Sequence, residues 1–120
     1  MTPDERLKAL KSMTFGKRIN KLESMVANSF PTKKLKYVGD HSFWIHLPRH
    51  GPKNPDFIAP PFSRRKKVLE VFGDYWHAAD EESALIAEYA EVGVECLVIW
   101  ECGLLTDPTA QFNRIAAYLK

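Results

Sequence analysis

Val68-Leu69-Glu70-Val71-Phe72 and, past a helical stretch, Cys96-Leu97-Val98-Ile99-Trp100 decide the fold of this chain. Both runs are short and nearly continuously apolar, the pattern of strands buried on both faces. Between them Leu85, Ile86, Tyr89 and Val92 recur at helical spacing. Asp80 stands where an N-cap belongs, and Gly93 closes the helix. Strand, helix, strand predicts a parallel pair joined by a right-handed crossover.

Downstream, Asp107-Pro108 reads as an N-cap followed by Pro at N1, with Phe112, Ile115, Ala116 and Leu119 forming the apolar face of a last helix. Upstream, Arg64-Arg65-Lys66-Lys67 is a basic tip and Asp56-Phe57-Ile58 a short strand, while Pro48, Gly51, Pro52 and Pro55 make a stiff loop. Leu35 to Val38 and Phe43 to Leu47 flank Gly39-Asp40 and predict a β-hairpin. Phe43, Trp44 and Trp100 are expected in the core. From Lys17, the residues Ile19, Leu22, Met25 and Val26 mark a helix that ends before Pro31. Glu23 borders its apolar stripe, so that carboxylate is either paired or functional, since unpaired burial is costly. Residues 1–16, interrupted at Gly16, form a flexible or weakly helical leader. The order α-β-β-β-β-α-β-α describes an α/β protein: one mixed sheet with helices packed on it.

At 120 residues the chain makes one domain, and 45% hydrophobic with 27% charged residues excludes wholesale disorder. The longest apolar run, Cys96 to Trp100, is far too short to span a bilayer. No apolar stretch follows Met1 to Arg6 as a secretory signal requires. Cys96 and Cys102 cannot build a disulfide framework, so a reducing, cytoplasmic setting is expected. Residues 1–67 carry 15 Lys and Arg against 5 Asp and Glu, whereas residues 68–120 carry 2 against 10. The basic half suits a polyanion and the acidic half a divalent cation; two solvated surfaces that attract one another fit equally well.

There is no phosphate-binding glycine loop, paired-cysteine zinc motif or nucleophile elbow. What stands out is Asn54-Pro55-Asp56-Phe57, then a strand, then Gly73-Asp74-Tyr75-Trp76-His77. An Asp just inside one strand can face the end of its neighbour, and Mg²⁺ usually takes one or two carboxylates plus waters. His77 follows Glu70 by seven residues and can move a proton at neutral pH. From spacing alone, Asp56 as a turn cap and His77 as a packed strand end remain equally open.

These segments, together with Gly93 and Leu97-Val98-Ile99-Trp100-Glu101, resemble the very short patch repair endonuclease family, and most closely its homing-endonuclease branch. The family belongs to the restriction-endonuclease-like superfamily of metal-dependent DNA nucleases. The resemblance covers residues 17–120 and implies an α/β/α sandwich with a mixed central sheet. It implies Mg²⁺ or Mn²⁺ as cofactor and double-stranded DNA as partner in a bacterial or phage-encoded setting, leaving oligomeric state open. Carried over by position, the metal-binding aspartate falls on Asp56, the catalytic histidine on His77 and the helix glutamate on Glu23. The metal-binding carbonyl falls on Val71, and the acidic partner of the histidine near Glu82, with Asp80 and Glu81 as competitors. A second family histidine falls on Phe72 and is absent. The superfamily's acidic-x-lysine strand reads Glu70-Val71-Phe72, so its lysine is also absent, and Glu70 is expected to supply a metal oxygen. One zinc cysteine of the repair enzymes falls on Asp74, so no structural zinc is expected; core packing and an unused thiol account for Cys96 and Cys102. Tyr75 and Trp76 match the aromatics those enzymes wedge into DNA, with core packing beside a strand end as the alternative. Arg64, Arg65, Lys66 and Lys67 are the expected phosphate contacts, a solvated loop tip being the equal alternative. A homing-type catalytic domain is the expected role; a mismatch-repair nicking enzyme and a DNA-binding module without activity are the alternatives.

Overall fold

A computed structural model describes residues 20–73 and 78–120. The leader, Ile19, Asp74, Tyr75, Trp76 and His77 lie outside the described residues. The two apolar runs form β5 (Lys67–Phe72) and β6 (Glu95–Trp100), paired in parallel with Leu69 opposite Leu97 and Glu70 opposite Val98. They are joined through α3 (Ala79–Glu91), which Gly93 follows at φ 78°, a conformation glycine adopts freely. Asp80 is not the N-cap. That position is Ala78, whose N–H is held by Glu81 Oε1 at 3.1 Å. Asp80, Glu81 and Glu82 instead fill the first turn, where negative charge complements the helix dipole.

Outside β5 lie β4 (Phe57–Ile58) and then β1 (Lys36–Tyr37), both antiparallel, giving the order β1-β4-β5-β6. The expected hairpin between 35–38 and 43–47 does not form. β1 pairs with β4, whereas β2 (Ile45–Leu47) pairs with β3 (Gly51–Lys53) in a separate two-stranded sheet. The stretch assigned to a stiff loop is therefore partly strand. Pro52 is tolerated because this two-stranded ribbon has open edges. Gly51, at φ 74°, makes the tight return that a local Gly39-Asp40 turn was expected to make. Two further helices are short enough to have escaped periodicity, α2 (Phe62–Arg65) and α4 (Glu101–Thr106). Of the others, α5 (Pro108–Tyr118) starts where expected, with Asp107 Oδ1 capping Ala110 N–H at 3.1 Å, whereas α1 (Lys21–Ser29) ends before Pro31 as expected but starts after its N-cap Asn20 and not at Lys17.

Strand alternation sends side chains to two cores. Phe57, Leu69 and Ile99 pack with Val26 of α1, Leu104 of α4 and Ile115 of α5. Ile58, Val68 and Val98 pack on the other face with Leu85 and Tyr89 of α3 and Leu47 of β2. Burying one such side chain contributes about 1.5–3 kcal/mol. Helices thus cover both faces of a four-stranded mixed sheet. Among the described residues, no helix is long and apolar enough to cross a membrane. Trp44 departs from the expected core: it is 51% exposed. Cys102 is also exposed, while Cys96 packs against the second core.

The β2–β3 turn is held to α3 by one buried carboxylate. Glu88 Oε2 accepts the N–H groups of Arg49 and His50 at 2.5 and 2.9 Å, and Oε1 lies 2.7 Å from His50 Nδ1. Desolvation works to raise the Glu88 pKa, but those two backbone donors and the His50 ring bring it down to about 2. A lowered pKa stabilises the fold above the unfolded value, and that contribution disappears as pH falls through the folded one. Glu88→Gln should therefore unfold at lower urea than the parent at pH 7, with the difference closing as pH approaches about 2. An equal gap at both pH values would refute the linkage.

Candidate functional site

Three acidic side chains from three elements meet inside this frame. Asp56 precedes β4, and the antiparallel register carried one pair past Phe57↔Leu69 sets it opposite Glu70 of β5. Glu23 comes from the first turn of α1. Their exposures are 8%, 2% and 1%. Such burial of carboxyl groups demands partners, and each has them.

Asp56 Oδ2 accepts the Val71 N–H at 2.8 Å, and its carboxyl group is hydrogen-bonded to that of Glu23. The Asp56 pKa rises well above the usual range. Burial is the largest cause, followed by the Glu70 charge and the Glu23 hydrogen bond, against which the Val71 N–H acts. Glu70 Oε2 accepts the Tyr89 hydroxyl at 2.7 Å and lies 3.5 Å from Lys53 Nζ. Lys53, from the unforeseen strand β3, brings a cation to a strand whose acidic-x-lysine pattern ends in Phe72. Its signal was invisible because residues 48–55 read as loop.

Glu23 does two jobs. Its Oε1 accepts the Asn20 N–H at 3.1 Å while Asn20 Oδ1 accepts the Glu23 N–H at 2.8 Å, a reciprocal capping box. The Asn-x-x-Glu spacing of residues 20 to 23 is the sequence signature of such a box. The same Oε1 accepts the Tyr37 hydroxyl at 3.3 Å. Tyr37 reaches it across Gly39, where a Cβ would sit 2.8 Å from the tyrosine ring. The Tyr37 pKa is pushed up, by burial first and then by Glu23.

Of the remaining expected residues, those described are engaged as follows. Glu82 accepts the Trp100 indole N–H, so this carboxylate is already engaged in packing α3 on β6. The basic tip is divided. Arg65 donates to the Leu119 carbonyl and Lys67 Nζ to the Tyr118 carbonyl at 2.6 Å, satisfying the end of α5. Arg64 and Lys66 are exposed. Residues 64–67 thus form the end of a short helix and the start of a strand, and two of their four cations donate to carbonyls of the last helix. His77, Tyr75 and Trp76 lie outside the described residues. Among those described, no three His, Cys, Asp or Glu side chains form a group able to hold a metal ion.

Comparison with known proteins finds no matching family model, curated protein or solved structure.

Proposed function

We propose that this chain is a metal-dependent endonuclease of double-stranded DNA, with a restriction-endonuclease-like fold and a homing-type role within the very short patch repair family. The observation that supports this reading best is the placing of Asp56 beside Glu70, both buried, where β4 and β5 meet. Hard oxygen donors of this kind suit Mg²⁺ or Mn²⁺, which needs only one or two carboxylates when waters fill the remaining positions. Asp56 and Glu70 would hold the ion, with the Val71 carbonyl as a further donor. The ion would supply Lewis acidity toward the phosphate and its leaving oxygen.

The chain's own groups do the rest. Glu23 and the Val71 N–H fix the Asp56 carboxyl group. Tyr89 and Lys53 fix Glu70. His77 takes the proton from the attacking water. Arg64 and Lys66 contact flanking phosphates, which positions DNA without reading its sequence.

A second reading has its own support. Glu23 is engaged in a capping box and Glu82 with Trp100, as they would be in a DNA-binding module without catalysis. Supercoiled plasmid incubated with Mg²⁺, Mn²⁺ or chelator separates the two. Metal-dependent conversion to nicked or linear forms is expected. Retained DNA binding without conversion would favour the module, and absence of both would refute the nuclease.

A further inference from the structure

Tryptophan is a residue that buries most of its surface, yet Trp44 is 51% exposed. Its indole N–H is already donated to the His41 carbonyl at 3.0 Å. The His41 ring lies 5.4 Å from the indole, tilted by 36°. What Trp44 still offers is aromatic surface.

The loop that carries it is tied to the candidate site by four hydrogen bonds. Asn54 Nδ2 donates to the carbonyls of Val38 and Phe43, both at 2.7 Å. The Asp56 carbonyl accepts the N–H groups of Val38 and Gly39 at 2.8 and 3.0 Å. The β2–β3 register, Ile45 opposite Lys53, continued by one pair sets Trp44 opposite Asn54. The exposed indole is therefore mounted on a loop fastened to the backbone of Asp56 itself.

We infer that Trp44 is a stacking platform for a nucleobase flanking the phosphate that an ion held by Asp56 would engage. This rests on the nuclease reading. The surroundings favour a base over an apolar protein surface. The exposed neighbours Asp40, Ser42 and His46 are polar, and among the described residues the other large exposed hydrophobics, Val92 and Leu105, belong to different elements. Exposed Lys33, Lys34 and Lys36 precede the loop, supplying charge suited to phosphates. Stacking tolerates any base, because every base has a π-face, so this contact adds affinity without a fixed target.

The test is binding of a fluorescein-labelled duplex with one unpaired base, read by anisotropy in Ca²⁺ and again in chelator, over a salt series. Trp44→Ala should bind about 10-fold more weakly. Its salt slope should match the parent, since no phosphate contact is lost. Trp44→Phe should recover most of the affinity. Circular dichroism of both variants reports whether the fold is kept. If the parent binds and a folded Trp44→Ala binds equally well, the stacking assignment is overturned and the nuclease reading stands. A loss that Phe does not restore, or a reduced salt slope, overturns it too. If the parent binds no DNA, the nuclease reading falls and takes this inference with it.

Discussion

Asp56→Asn protein should fold normally and cleave DNA on the order of 10³-fold more slowly than the parent. A metal that polarises a phosphate contributes several kcal/mol to the barrier, and each 1.4 kcal/mol is about tenfold in rate. Asparagine keeps an oxygen for the Val71 N–H but removes the charge that holds the ion. Stability should move the other way. A carboxyl group whose folded pKa is raised binds its proton more tightly when folded. Its contribution is then fully present below the unfolded pKa and lost as pH rises through the folded one. Without metal, the parent should lose this contribution with rising pH, and Asp56→Asn should not. Single-turnover cleavage and thermal unfolding between acid and neutral pH measure both. Parental cleavage by the folded variant would remove Asp56 from the mechanism.

His77→Ala should lower the single-turnover rate by about 10²–10⁴-fold, the usual effect of losing a general base. DNA affinity should change little, because a neutral ring adds no phosphate charge. In the parent the rate should fall as pH drops through the histidine range, since a base must be unprotonated to act. Weaker binding with an unchanged bound-state rate would make His77 a DNA contact and leave the reaction in need of another base.

The parts of the fold with strong local signals were legible. β5, β6 and α3 carry unbroken apolar runs or clear helical periodicity, and Asp107-Pro108 starts α5 as expected. Pairing was not legible. Tyr37 and Phe57 are 20 positions apart, and nothing local says that β1 pairs with β4 and not with the nearer segment across Gly39-Asp40. In the site, Asp56 and Glu70 came together because a two-residue periodicity carries them to one sheet position. Lys53 was hidden in a Pro- and Gly-rich segment that the tertiary fold makes into strand. Glu82 accepts the Trp100 indole N–H, while His77, the partner expected for it, lies outside the described residues.

Glu88 and Tyr89 are adjacent on α3, yet one grips the β2–β3 turn and the other grips Glu70. Lys53, at the end of that same hairpin, reaches Glu70 as well. The contacts close a circuit through helix, hairpin and sheet. In a closed circuit, free-energy coupling is reciprocal by necessity. Whatever a proton on Glu88 does to the affinity of Glu70 for a cation, that cation does in equal measure to the affinity of Glu88 for its proton.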